Sequence, residues 1–343
     1  LNQTDLEIEP PVPPPQPAKA VRKYYALPYS LLFVFLITFF AGPLFILALH
    51  VSGPYEKVAT VMIPKGSSVQ EIAQILDDNN ILVNPLLFRV TARLMADDRL
   101  RAGEYRFEPG MNVLDVTAKL RDGKTIVRQI TVPEGRTSYE IVNLLISNPY
   151  LSGTIEQIPP EGSLLPETYH FTHGDDRTGL TAWMQRDAQA LLAKLWAERQ
   201  DNLPLKTPQE AVILASIIEK ETGPQAHERA RVAGVFVNRL RLRMPLQSDP
   251  TVIYALTDGL QSLGRSLTRA DLLTSSPMNT YVTPGLPPKP ICNPGRAALE
   301  AALHPEKNEY LYFVADGTGG HAFAKTLSEH NNNVSQWLRL NRR

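Results

Sequence analysis

Residues 207–224 read TPQEAVILASIIEKETGP. The stretch is one helix with both ends marked. Thr207 is an N-cap, and Glu210 three residues on completes a capping box. Pro208 takes the first helical position, where its missing N–H costs nothing. Gly223 offers the left-handed conformation that closes a helix, and Pro224 blocks continuation. Between these caps the helix is apolar nearly all round, as a buried helix is. Its last turn nevertheless carries two carboxylates, Glu219 and Glu221.

The two are not equivalent. Leu214, Ile217, Ile218 and Glu221 fall at i, i+3, i+4 and i+7, a bulky apolar stripe that ends in a charge. Glu219 points about 200° away, at about 100° per residue, and follows the smaller Ala215 and Ser216. Glu221 is therefore the better candidate for a partly desolvated acid. Desolvation raises a carboxyl pKa, and the negative end of the helix dipole raises it further. A carboxyl still protonated near neutral pH can serve as a general acid. The helix alone leaves a second reading open, a partly exposed Glu221 paired with a Lys or Arg.

Composition narrows the classes. The 343 residues leave room for two or three domains. Thirty-five basic and 35 acidic residues cancel, so nothing points to nucleic acid. Cys292 is the only cysteine, which excludes a disulfide framework or a cysteine-rich metal site. The histidines contain no His-Glu-x-x-His pair of a metalloprotease. Gly317-Thr318-Gly319-Gly320 lacks the Lys-Ser/Thr of a phosphate loop and reads as a turn. No metal or organic cofactor is expected.

On the N-terminal side, residues 1–28 are proline-rich, with Pro13-Pro14-Pro15, and are expected to be a disordered cytoplasmic tail. Tyr29 to Leu49 has no charged residue and is long enough to span a bilayer, so residues 29–51 are predicted as a transmembrane helix. Gly42 and Pro43 are tolerated there. Tyr24, Tyr25 and Tyr29 suit one interface and Tyr55 the other. A cleaved signal peptide competes, opposed by the long preceding tail and the length of the apolar run. Lys19, Arg22 and Lys23 outweigh Lys57 and Lys65, which places the N-terminus in the cytoplasm and the bulk of the chain outside.

Residues 58–157 hold an internal repeat. Ile63-Pro64-Lys65-Gly66 recurs as Val132-Pro133-Glu134-Gly135, and the same offset maps Ile72 onto Ile141, Leu76 onto Leu145 and Leu82 onto Leu151. Each copy reads as a strand, a Pro-x-Gly turn and an amphipathic helix. A shorter echo, Phe107-Glu108-Pro109-Gly110, follows the strand-like Gly103–Phe107. These units resemble LysM-like modules, which bind N-acetylglucosamine-containing glycans; a plain spacer is the rival reading. One module is expected over 58–130. A second repeat-like module with a bridging helix is expected over 131–206, where Leu164 to Phe171 looks irregular or extended and Leu180 to Gln200 helical.

The remainder, 207–343, is expected to be the catalytic region. Glu228 to Arg243 reads as a helix with Val232, Val235, Phe236 and Leu240 buried; its arginines are either ion-paired or face an anionic polymer. Polar loops follow at 246–251, 276–281 and 285–288. Asp249, before Pro250, reads as a helix cap. Asn293-Pro294-Gly295 opens a helix to about His304. Tyr310 to Ala315 is a strand that returns through the glycine-rich turn to His321-Ala322-Phe323, and Leu327 to Leu340 is a closing helix.

Several of these segments, in this order, closely resemble the YceG-like endolytic murein transglycosylases. They are Ala215-Ser216-Ile217-Ile218-Glu219-Lys220-Glu221-Thr222, Val237-Asn238-Arg239-Leu240, Leu246-Gln247-Ser248-Asp249-Pro250-Thr251-Val252-Ile253-Tyr254, Asn279-Thr280-Tyr281 and Tyr310-Leu311-Tyr312-Phe313-Val314-Ala315. The likeness covers roughly residues 58–340. Two positions depart from it: Met278, where the family has an aromatic, and Glu167, where it has Asp.

The resemblance implies an α+β fold: a transmembrane helix, small LysM-like modules, and a mixed catalytic domain whose buried helix carries the catalytic Glu. It implies a lytic transglycosylase that cuts the MurNAc-GlcNAc β-1,4 bond of nascent strands without water, leaving 1,6-anhydro ends and stopping elongation. The family's Glu-Thr pair falls on Glu221-Thr222, with Glu221 as the single acid and base. Gln247, Ser248, Asn279, Tyr281 and His321 are candidate substrate contacts with Thr222, and Glu219 is expected to pair with an Arg or a loop. The implied setting is the inner membrane with a periplasmic catalytic region, peptidoglycan strands as substrate and peptidoglycan synthases as partners. Two other functions are weighed: a hydrolysing muramidase with Glu219 or Asp249 as second carboxylate, and a non-catalytic glycan-binding scaffold that recruits synthases.

Overall fold

The computed structural model describes residues 26–96, 99–222 and 226–340. The proline-rich tail with its basic residues, Tyr24, Tyr25 and the helix stop Gly223-Pro224 lie outside them. The chain divides between Lys124 and Thr125 into two compact units, and the fold is mixed α+β.

The first unit opens with α1 (Ala26–Leu49), which contains Pro43. Its stretch Leu31–Leu49 has a mean hydropathy of 2.6 and none of it is buried. By length and composition it is the one helix among the described residues able to cross a membrane. A small globule follows: β1 (Ala59–Ile63), α2 (Val69–Asp78), α3 (Pro85–Ala96), β2 (Gly103–Phe107) and α4 (Val113–Asp122). β1 and β2 pair antiparallel, Ala59 opposite Phe107 and Ile63 opposite Gly103. Ile63, Leu76, Phe88, Tyr105, Phe107 and Leu120 close its core. Capping boxes at Ser68/Glu71 and Asn112/Asp115 start α2 and α4.

The second unit begins with β3 (Val127–Thr131) and α5 (Ser138–Ile146), the second copy of the repeat. Strand, turn and helix recur in both copies and in the echo. The turn glycines Gly66, Gly110 and Gly135 all have positive φ, which an L side chain resists. Two-residue strands β4 (Leu151–Ser152) and β6 (Asp175–Asp176) pair in parallel, while β5 (Thr168–Thr172), between them in sequence, is the antiparallel partner of β3. The segment 164–171 is thus part strand, with Tyr169 and Phe171 turned inward. The bridging helix α6 (Arg177–Ala197) starts before Leu180, because Asp176 caps it through Gly179 N–H.

Next come α7 (Pro208–Thr222), a single 3-10 turn, α8 (Arg229–Arg241), α9 (Asp249–Thr257), α10 (Arg269–Leu272) and α11 (Arg296–Leu303). The hairpin β7 (Tyr312–Ala315) and β8 (His321–Ala324) pairs antiparallel, and α12 (Leu327–Leu340) packs on it. α8 stops at Arg241 and not Arg243, whose φ of 56° is left-handed.

α7 is the hub, buried from Ala211 to Glu219 and packed among α6, α8, α9 and α11. Only half of its expected capping box forms. Thr207 Oγ1 accepts Glu210 N–H at 3.2 Å, while the Glu210 carboxylate turns back to Lys206 N–H. The small side of α7 receives the loop before α11: Ile291 N–H donates to Ser216 Oγ at 3.1 Å and Gly295 N–H to Glu219 Oε2 at 2.9 Å. Asn293, fully buried, ties that loop to Leu164 N–H and to Ser138 Oγ of α5. The bulky stripe is left to run along the other side of α7 toward Glu221.

Candidate active site

Glu221 opens onto a cleft of about 580 Å³ in the second unit, walled by the end of α7, the loop before α9, β7, His321 and α12. Arg239, Gln247, Asp249, Tyr281, Tyr312 and His330 also line it. The last turn of α7 emerges here because Leu214, Ile217 and Ile218, each at 0% exposure, carry the stripe out of the core.

Ser248 is the direct partner of Glu221. Its Oγ donates to Glu221 Oε1 at 2.6 Å. Ser248 itself is 1% exposed and firmly held. Its N–H donates to Thr280 Oγ1 at 3.0 Å, and its carbonyl accepts from Thr251 Oγ1 at 2.6 Å. Desolvation pushes the Glu221 carboxyl up to about 7, and the charge of Asp249 adds to the rise. The Ser248 hydrogen bond, His321 and Arg239 oppose it.

Asp249 is not the helix cap expected from the sequence. Ser248 holds the N-cap position without a side-chain cap, and Asp249 is the first helical residue. Its Oδ1 accepts the Tyr281 hydroxyl at 2.6 Å. Burial, then this partner, push the Tyr281 phenol above its ordinary value. Gln247, in a left-handed conformation at φ 53°, turns its Oε1 to Arg239 Nη1 at 3.3 Å.

Arg239 is 7% exposed and clamped by carbonyls, Nε to Leu311 at 2.6 Å and Nη1 to Leu246 at 2.8 Å. Its guanidinium sits over the Tyr312 ring, 5.2 Å from the centroid. His321 Nδ1 meets Glu228 Oε2 at 2.7 Å. His330 stacks on Tyr312 at 5.2 Å, and burial draws its pKa below the ordinary 6.5.

Five of the predicted site residues therefore share one place: Glu221, Gln247, Ser248, Tyr281 and His321. Thr222 and Asn279 stand behind it. Thr222, 2% exposed, donates its hydroxyl to Ile218 O. Asn279, at 0%, donates to Leu272 O and Thr274 O and accepts Tyr281 N–H, so it holds the loop that presents Tyr281. Met278 is buried in the core. Glu219 is spent on structure, as its side of the helix implied: Arg229 Nη2 meets it at 3.1 Å and reaches Glu134 at 3.3 Å. Among the described residues no three His, Cys, Asp or Glu side chains converge as a metal site.

The YceG-like family profile matches residues 61–336. The chain belongs to the YceG-like family. It is 33% identical over 325 residues to the endolytic murein transglycosylase of Bacillus subtilis (strain 168), covering 83% of this chain and 87% of that one. It is 29% identical over 330 residues to the endolytic murein transglycosylase of Streptococcus pneumoniae (strain D39), covering 82% of this chain but only 58% of that longer protein. A 2.6 Å crystal structure of a yceG-like protein from Listeria monocytogenes superposes with a TM-score of 0.51 at 32% identity, over 81% of this chain and 99% of that one.

Three cleft residues of this YceG-like chain escape the sequence reading: Arg239, Tyr312 and His330. Arg239 had a signal. Val232, Val235, Phe236 and Arg239 repeat the i, i+3, i+4, i+7 pattern that singles out Glu221, a buried stripe ending in a charge. Tyr312 stands in the Tyr310–Ala315 segment of the family resemblance but shows no local sign of a site role, and His330 has no signal; only the hairpin and α12 bring them to the cleft.

Proposed function

We propose that this chain is an endolytic peptidoglycan lytic transglycosylase in which Glu221 performs both proton transfers. The observation that carries the reading is a carboxyl raised to about 7, hydrogen-bonded on one oxygen and open to a cleft. The family relationship supplies the substrate, a glycan of alternating MurNAc and GlcNAc.

With Oε1 occupied by Ser248, Oε2 is the oxygen that carries the proton. Glu221–COOH protonates the glycosidic oxygen as the C1–O bond breaks. The carboxylate then takes the proton of the muramoyl C6 hydroxyl as that oxygen bonds to C1. The proton count closes, no water is consumed, and the product ends in a 1,6-anhydro ring. A glycosidase ordinarily needs two carboxyl groups; here the sugar's own hydroxyl replaces water. Ser248 and the charge of Arg239 stabilise the carboxylate formed in the first step. Gln247 and Tyr281 supply polar groups able to hold N-acetyl groups.

In this proposal α1 is a retained single-pass anchor with its N-terminus in the cytoplasm. The β1–α2–α3–β2 order fits a LysM-like module, and the catalytic region faces the periplasm. There it meets nascent strands at the inner membrane, beside the peptidoglycan synthases that make them. One observation favours a second reading. Asp249 lines the same cleft, and a hydrolysing muramidase would use it as its second carboxylate. Mass spectrometry of released fragments separates the two: 1,6-anhydro ends support the lytic reaction, and ends heavier by one water refute it.

A further inference from the structure

Helix α3 has two faces. Phe88, Thr91, Ala92 and Ala96 are buried in the first unit. Opposite them Leu86, Val90 and Leu94 stand at i, i+4 and i+8 with 62%, 38% and 74% of their surface exposed. Val83, two residues ahead of the helix, is 57% exposed. A contiguous apolar surface of this kind marks an interaction site. Arg89 and Arg93 flank it, exposed and without an ion pair among the described residues. Residues 81–96 contain no acidic side chain; Asp97 and Asp98 come only after the helix.

The strip starts where α1 ends. Ser52 bridges to Asn112, and Gly53 N–H donates to Met111 O at 3.0 Å. A side chain at Gly53 would strike the carbonyl oxygen of Ile81. The chain leaving α1 therefore lies against the backbone two residues ahead of Val83. A bilayer crossed by α1 would end within a few residues of that contact.

We infer that α3 lies along the surface of the bilayer that α1 crosses. The Leu86–Val90–Leu94 strip enters the acyl boundary, and Arg89 and Arg93 meet anionic lipid phosphates. The inference rests on α1 being a retained anchor. It makes the first unit a fixed platform on the membrane and not a globule swinging on residues 50–58. A glycan strand is the rival occupant, because Leu86, Arg89, Val90 and Arg93 also border a groove beside the start of α2. No aromatic ring lines that groove for a sugar to stack on, whereas aliphatic side chains with flanking arginines match a lipid surface.

The test uses the full chain in vesicles of phosphatidylcholine and phosphatidylglycerol. One environment-sensitive fluorophore is attached at Leu94→Cys, at Gln74→Cys on the exposed face of α2, or at Ile46→Cys within α1. Cys292 is fully buried and stays unlabelled. Nitroxide lipids are expected to quench the label at 94 several-fold more than the label at 74. Adding Arg89→Glu and Arg93→Glu should remove most of that excess. Strong quenching at 46 with equal, weak quenching at 94 and 74 overturns the inference and leaves the anchor standing. No quenching at 46 removes the anchor and the inference with it. Shielding of the label at 94 by purified glycan strands in detergent, without that excess quenching in vesicles, assigns the face to glycan and also overturns it.

Discussion

Ser248 donates a hydrogen bond from its hydroxyl to Oε1 of Glu221 across 2.6 Å, and this bond works against the desolvation that raises the same carboxyl. The acid is therefore poised between two effects, burial holding the proton and Ser248 favouring its release. Ser248→Ala removes the second effect, so the Glu221 pKa rises further. The descending limb of kcat/KM, centred near 7 in the parent, moves to higher pH. The carboxylate formed in the first step loses a charge-assisted hydrogen bond, about 1.5–3 kcal/mol, so kcat drops roughly tenfold or more. A pH–rate profile of the variant on isolated glycan strands checks both.

Asp249→Asn should move the same limb the opposite way. The negative charge of Asp249 raises the Glu221 pKa, so neutralising it lowers that pKa. Asn still offers an oxygen to the Tyr281 hydroxyl, which keeps the loop in place. Opposite displacements in the Ser248 and Asp249 variants, measured on one substrate, tie the profile to Glu221. Displacements of the same sign would break that link.

Glu221 should also cost the fold stability at high pH. Its folded pKa of about 7 lies above the ordinary 4.5. Between these values the native state holds a proton that the unfolded state has released. Stability therefore falls as pH rises through that window, and the full cost is present above 7. Glu221→Gln has no proton to lose. The variant should be more stable than the parent at about pH 8, by on the order of 1–3 kcal/mol. At about pH 4 it should gain nothing. Thermal unfolding at the two pH values measures the difference.

The neighbouring carboxylate predicts the reverse pattern. Glu219 pairs with Arg229 inside the protein, with side-chain exposures of 5% and 11%. Glu219→Gln leaves Arg229 buried beside only the part-exposed Glu134, and breaking such a pair costs about 3–5 kcal/mol. Activity per folded molecule should change little, because Glu219 does not line the cleft. Denaturant melts with active-site titration separate stability from turnover. A full loss of turnover in folded protein would bring Glu219 into the chemistry.

How far the sequence reaches depends on whether a feature is local. The α7 stripe, the two Pro-x-Gly turns with their shorter Pro109-Gly110 echo, and the split between Glu219 and Glu221 follow from residues within two helical turns, where spacing alone dictates which side chains share a face. Asp249 shows where local reading fails. An Asp before Pro reads as a cap, yet its partner is Tyr281, 32 residues on, and only the folded loops bring the two together. β5 is left between irregular and extended for the same reason, since its strand character comes from pairing with β3. Arg239 stands between these cases: its stripe is visible in α8, but Leu311, Leu246 and Tyr312 arrive from other elements.

The most direct test counts chain ends. Purified parent and Glu221→Gln proteins, matched for folded content, are incubated with uncrosslinked glycan strands, and 1,6-anhydromuramoyl ends are counted by mass spectrometry. The parent should generate such ends steadily, and the variant should fall to the no-enzyme background while still unfolding cooperatively. Undiminished 1,6-anhydro ends from the variant would contradict the assignment of Glu221 as the proton carrier.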